Sequence, residues 1–465
     1  MSRSYALAGV ACLLVFVSAS MVLAHASEQG FVLLLPTDIY IAAGVTSVAA
    51  TVVLLAFLPG TISEGLFHAV RLWRKPRLRW QCVTCACSTA VMLWLIWQGV
   101  FGPRDPLANP MPLVFWTVFW IVLVTLQGIF GNLWRWIDPF RVPCAMAAHV
   151  FGSQPPFKFP SYAAYWPALV GFLAFAGFLL ADIAPTDPDR LARVVAFYFF
   201  ANLVLCALFG ARWMVRGEFV SVLMRTYGRL GVSAVNTGQK SVGLWGWQYT
   251  KRAAPPLSLA VFCVVLLGTG SFDGINETFW WIDLIGLNPL EFPGRSFVFW
   301  QNIFGLVIAN ALLVSIFAFA LWTGAQAAGD RRPMAHIFCA FAPSILPIAL
   351  GYHIAHYLTA FLVDGQYVLK MLDDPLGKGW HLLGLQDFFV TTGFFNTQNS
   401  VELIWLTQAG AVVLGHIIAV LMAHRIALRD GASSWSAFLG QMPLALFMIA
   451  YTFLGLWLLA TPRGA

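Results

Sequence analysis

Charge is what this chain has least of. Of its 465 residues only 10% are Asp, Glu, Lys or Arg, where a soluble domain carries about 25%. That leaves too little polar surface for a water-soluble fold, and no stretch is polar enough to form a separate soluble domain. The net charge of +7 is spread over loops between hydrophobic runs, without a basic stripe interleaved with stacking aromatics, which argues against nucleic acid as a partner. No Walker-type glycine loop and no G-x-S-x-G occurs, so neither nucleotide-driven transport nor an α/β-hydrolase is indicated. The helical zinc-protease string H-E-x-x-H is missing as well. Of the eight cysteines, Cys12, Cys206, Cys263 and Cys339 lie in apolar runs, where thiols behave as small hydrophobes, and no loop pair implies a disulfide framework.

What is abundant is apolar length. Hydrophobic residues make up 60% of the chain, with 20 Trp and 39 Phe, and the mean hydropathy is +0.77. Runs of about 20 apolar residues recur from end to end, each long enough to cross a bilayer as a helix. An outer-membrane barrel would show short alternating segments instead. The fold class expected is all-α: a polytopic transmembrane helix bundle with the lipid bilayer as its solvent. Ten spans are expected, near 39–59, 82–101, 113–131, 163–183, 193–211, 256–272, 297–322, 336–362, 400–423 and 436–460. They form a single domain over 27–465, after an N-terminal segment, 1–26, that reads as a signal peptide or a first helix. Cleavage after Ala26 is one reading; cleavage after Ala24 would expose His25, whose amine and imidazole together chelate copper.

The basic residues orient the bundle. With the mature N-terminus outside, 20 of the 27 Lys and Arg fall on the cytoplasmic side, and ten spans return the C-terminus to the outside. This places the chain in a bacterial inner membrane with both termini periplasmic. Two loops are long. The inner one carries "RGEFVSVLMRTYGRLGV", an interfacial amphipathic helix or, as preferred, a plain connector. The outer one, 363–399, is rich in Gly and aromatics and is expected to cover the helices beneath.

Ionisable groups inside a span are costly and are usually kept for a purpose. "GYHIAHYLTAF" sets His353 and His356 one turn apart, on one helix face, in the outer half of a span that Pro343 and Pro347 should kink. The next span brings Glu402 near the outer boundary and Gln408 to the level of the imidazoles. His353, His356 and Glu402, completed by His381 from the outer loop, would suit a divalent transition metal. Interhelical hydrogen bonding without a metal explains the same residues. His416 lies deeper and is expected to be a buried, hydrogen-bonded histidine; His424 is expected at the inner interface, solvated. Cys82, Cys85 and Cys87 near a helix start read as reduced and inert. Asn202, Gln301, Asn302 and Asn310 add polarity within the spans, and Asp273, Glu277, Asp283 and Glu291 form an acidic outer rim.

Five segments carry a resemblance: "HASEQGFVLLLPTDIYIAAG", "GNLWRWIDPFR", "SFDGINETFWWIDLIGLNPLEFPGRS", "GYHIAHYLTAFLVDGQY" and "GHIIAVLMAHRIAL". From about His25 to Arg429 the chain resembles the bacterial multi-pass membrane proteins called fenitrothion hydrolase. The resemblance implies a membrane-embedded hydrolase of organophosphotriester bonds that works with a related membrane subunit, and it carries over no catalytic residues. Three classes of function therefore stay open: a metal-dependent hydrolase, a transition-metal transporter, and a structural subunit of a larger complex.

Overall fold

The computed structural model describes residues 30–57, 60–74, 80–150, 155–236, 238–292, 294–429 and 434–462. The signal segment and His25 lie outside the described residues. In chain order the principal helices are α1 (Thr37–Phe57), α2 (Trp80–Phe101), α3 (Pro110–Phe130), α4 (Arg141–Val150), α5 (Trp166–Ala181), α6 (Pro188–Phe209), α7 (Ala211–Arg216), α8 (Phe219–Leu230), α9 (Leu257–Ile275), α10 (Phe299–Ala328), α11 (Met334–Asp373), α12 (Gln398–Arg429) and α13 (Ser434–Ala460). Among the described residues nine helices are long and apolar enough to cross a membrane, and α5 is a tenth, shorter apolar helix. Each of the ten expected spans falls on one of these ten. The fold is an all-α helical bundle.

Local chemistry sets the helix ends. Asp187 caps α6 by accepting from the Arg190 amide at 2.8 Å, with Pro188 in the first turn where its missing N–H costs nothing. Asn109 and Pro110 start α3 in the same way, Asn109 accepting from the Met111 amide at 2.8 Å. Part of α3, Leu113–Leu123, is wound as a π-helix, a widened form often found at functional sites. The α11 helix is interrupted by a 3-10 turn at Ala342–Ile345, where Pro343 removes a backbone donor, and resumes at Leu346.

One element is not foreshadowed by any long apolar run. Strands β1 (Val70–Arg74), β2 (Ser233–Asn236) and β3 (Gln239–Val242) pair antiparallel in the order β1-β3-β2. This small sheet marks one face of the bundle, the face where α1 ends and α2 begins.

The inner loop differs from both expected forms. Instead of lying on the surface, α7 and α8 turn back into the bundle as a helical hairpin. Trp213 of α7 donates to the Asn202 side chain of α6 at 2.8 Å, and Glu218 at the tip bonds the Tyr198 hydroxyl. Tyr198 lies eleven residues from the Phe209 end of α6, roughly 16 Å along its axis. From that tip α8 runs back to the sheet face, where Val232 donates to the Ile129 carbonyl at 3.0 Å. Ten of its twelve residues are buried. The preceding segment does the same on a smaller scale: the Pro139 carbonyl accepts from Thr89, nine residues into α2, at 2.8 Å. Polar side chains of α8 that in isolation read as water-facing find partners within the protein: Ser221 accepts from Trp134 at 3.3 Å and the Thr226 hydroxyl donates to the Val222 carbonyl at 2.8 Å. Irregular backbone at this depth is stable where protein supplies its partners.

Helices α11 and α12 cross at mutual glycines. A Cβ on Gly351 would meet the Ala411 carbonyl oxygen at 2.6 Å, and one on Gly415 would meet the Pro347 carbonyl oxygen at 2.6 Å. This crossing holds the histidine-bearing part of α11 firmly against α12.

Candidate functional site

His353 and His356 sit just beyond the broken start of α11. The His353 Nε2 lies 3.0 Å from the Trp120 carbonyl in the π-wound part of α3. A carbonyl only accepts, so this bond keeps the proton of a neutral ring on Nε2. His356 turns instead toward α9, where its Nε2 is 3.3 Å from Oδ2 of Asp273. The same carboxylate oxygen accepts from the Tyr357 hydroxyl at 2.6 Å. The centre is therefore an imidazole, a carboxylate and a phenol from two helices, with a second imidazole one turn below.

These side chains line a cavity of about 30 Å³ together with Thr269, Tyr227 and Tyr352. Its volume suits one or two water molecules, each needing two to four polar partners. Partners are at hand: the Trp120 indole N–H, buried against this cavity, has no acceptor among the described residues. Toward the face opposite the sheet lies a second pocket of about 150 Å³, with Glu277, Arg295, Asn276 and Asn302 in its wall. Glu277 is one helical turn beyond Asp273, and Leu180 lines both cavities. The side chains of His356 and Asp273 are 15% and 12% exposed, so the centre is largely enclosed.

The expected metal set is not assembled. Glu402 accepts from the Tyr40 hydroxyl of α1 at 2.7 Å, on a different side of α12 from the imidazoles. His381 pairs with Asp373 at 3.2 Å in the outer loop, in a left-handed turn (φ 50°). Among the described residues no group of three or more His, Cys, Asp or Glu side chains is placed to hold a metal ion. At the centre the described residues bring together a single acid–imidazole pair, His356 with Asp273, fewer donors than the three or four protein ligands of a transition-metal site. Gln408 does reach the expected level, donating to the Ala355 carbonyl at 2.8 Å.

Other expectations resolve into packing. Asn302 accepts from Trp281 at 2.9 Å, and Asn310 donates to Thr269 at 3.2 Å. Cys85 is buried while Cys82 and Cys87 are exposed, all as free thiols. His424 is 3% exposed, so it is not solvated as expected: α12 turns it into the bundle. On the face opposite the sheet, burial alone would raise the Asp182 carboxyl, but the Arg190 guanidinium and the Ala184 amide hold it below the usual range. Asp374 is likewise held low, by the amides of Gly379, Lys378 and Trp380.

Asp273 and Tyr357 are the members of the centre that sequence reasoning missed as partners. Asp273 belongs to the centre and not to the outer rim of acids; the signal in the sequence is its place at the end of an apolar run, "GTGSFDGIN", rather than in the polar loop beyond. The fold and the centre together define a multi-pass α-helical membrane protein with an ionisable core. No family model, curated protein or solved structure matches the chain.

Proposed function

We propose that the chain is a bacterial inner-membrane transport protein in which passage of an ion or solute is coupled to proton exchange at His356. The observation that carries this reading is the His356–Asp273 pair with Tyr357, enclosed between the interrupted helix α11 and α9 beside a water-sized cavity. An ionisable pair kept inside a membrane bundle marks a pathway more often than a scaffold. Interrupted and re-entrant helices, tolerated where they line internal polar space, support the same reading. By the ten-span count 20 of 27 Lys and Arg fall in the loops of one side, the side whose loops carry the strands, and the positive-inside bias supports a cytoplasmic sheet face with the 150 Å³ pocket toward the periplasm.

The test uses full-length protein in liposomes loaded with a pH-sensitive dye, with a potassium diffusion potential as the driving force. Wild type should acidify or alkalinise the lumen faster than empty liposomes, and His356→Asn or Asp273→Asn should reduce the rate to the leak. A wild-type rate equal to the leak would refute proton coupling.

A hydrolase is the second reading, favoured by one feature. An imidazole paired with a carboxylate beside a cavity of one-water size is also how a general base is set to activate water. Arg295 in the adjoining pocket would face a phosphoryl oxygen. In this reading the same preparation cleaves a nitrophenyl phosphotriester, and His356→Asn abolishes the cleavage.

A further inference from the structure

The pocket on the face opposite the sheet carries charge of both signs. Glu277 reaches it from just past the end of α9, and Arg295 from the loop before α10. Its negative pole has three parts. The α9 helix ends at Asn276, so its last carbonyls and the negative end of its dipole lie beside Glu277. The Asn276 Oδ1 is buried without a partner among the described residues, and the soft rotation of an asparagine amide presents it to a ligand in the pocket it lines. The positive pole is anchored. Arg295 donates Nη2 to the Leu179 carbonyl at 2.8 Å, which ties the guanidinium to the end of α5 and leaves its other N–H groups for an anion. The Asn302 oxygen is taken by Trp281 at 2.9 Å, while its amide N–H group makes one long bond, 3.4 Å to the Leu180 carbonyl. Asp182 is also near Arg295, but Arg190 holds both its oxygens at 2.7 Å.

Between the poles the walls are apolar, formed by Ile282, Ile285 and Phe292 among others. At about 30 Å³ per water, the 150 Å³ pocket has room for roughly five waters or one small organic molecule. An anion there would face Glu277, and a cation would face Arg295, so a ligand of either single charge meets a like charge. A molecule that carries both charges and a short apolar side chain avoids both repulsions.

We propose that this pocket binds a small apolar α-amino acid as its zwitterion and is the substrate site of the transporter; this rests on the transport reading above. Glu277, the Asn276 amide oxygen and the end of α9 hold the ammonium group. Arg295 and the Asn302 amide hold the carboxylate, and Ile282, Ile285 and Phe292 receive the side chain. Glu277 is one helical turn beyond Asp273, and Leu180 lines both this pocket and the central cavity, so the ammonium group binds beside the proton-exchanging pair. The zwitterion has no net charge. The proton carried at His356 therefore supplies the charge on which a membrane potential acts, and no bond of the amino acid forms or breaks.

The probe is tritiated L-valine, bound to the full-length protein in detergent and counted by scintillation proximity. Saturable binding is expected, displaced by unlabelled L-valine. L-Valinamide, which lacks the carboxylate, and 3-methylbutanoate, which lacks the ammonium group, should each compete at least about ten-fold more weakly. These competitions use the wild type, so they decide even if a variant misfolds. Arg295→Gln and Glu277→Gln should each weaken valine binding by at least about ten-fold. Absence of saturable binding, or displacement by either analogue as effective as by valine, overturns the proposal. In the liposome assay, external valine should raise the wild-type rate of luminal acidification. If proton flux proceeds but valine neither binds nor changes it, the substrate site is overturned and the transport reading stands. If valine binds while flux stays at the leak, the transport reading falls and takes the substrate role with it, leaving a ligand-binding pocket.

Discussion

Replacing Gly351 by alanine puts the helix crossing behind the centre to the test. The added Cβ would lie 2.6 Å from the Ala411 carbonyl oxygen, a backbone atom that cannot rotate away. Restoring the 3.4 Å of ordinary contact requires α11 and α12 to separate by some 0.8 Å. Overpacking of this kind costs about 1–3 kcal/mol. Gly410, on the same helix as Ala411, has nothing within 4 Å of the corresponding position. Gly410→Ala should therefore stabilise, by about 0.4–1 kcal/mol, through the reduced freedom of the unfolded chain. The assay is thermal unfolding of both purified variants in one detergent, read by the fraction that remains monodisperse. Gly351→Ala should melt below wild type and Gly410→Ala at or above it. Gly415→Ala, which meets the Pro347 carbonyl at 2.6 Å, should behave like Gly351→Ala, and the double variant should fall short of the sum because both strain one crossing. Equal melting of Gly351→Ala and Gly410→Ala would refute the close-crossing argument.

Three further outcomes are expected. Glu218→Ala removes the cap that accepts from the Val220 and Ser221 amides at 2.7 and 2.6 Å and from Tyr198, and should destabilise the protein by about 2–4 kcal/mol in the same melting assay; a change within error would mean the hairpin tip is solvated. Asp182 titrates lower in the folded protein than in the unfolded chain, so its contribution is present above the unfolded value of about 3.9 and is lost as pH falls through the folded value. Asp182→Asn should therefore lower the melting temperature at pH 7, with an offset that shrinks as pH falls below the unfolded value, and an offset that grows or stays constant down to the acid limit of folding contradicts the linkage. Because Glu402 bonds Tyr40 rather than the imidazoles, Glu402→Gln should keep wild-type proton flux; a loss as deep as that of Asp273→Asn would return Glu402 to the centre.

Composition alone determined the environment and the class of fold. A chain with 10% charge and repeated runs of about 20 apolar residues can satisfy its backbone in lipid only as helices, so the spans and their order were legible. His353 and His356 were legible for the same reason, since an imidazole stands out against an apolar run. Their partners were not, because helix spacing reports which residues share a face and not which helix that face meets. Chain neighbourhood suggested Glu402 of α12, whereas helix packing brings Asp273 of α9 to His356 and turns Glu402 toward Tyr40. The α8 segment differs for the opposite reason: its amphipathic pattern is real, but the fold turns Ser221 onto Trp134 and the cap Glu218 onto Tyr198. Which segments must leave water follows from composition and run length. Which buried polar groups meet depends on contacts between helices far apart in the chain, and those appear only once the bundle is packed.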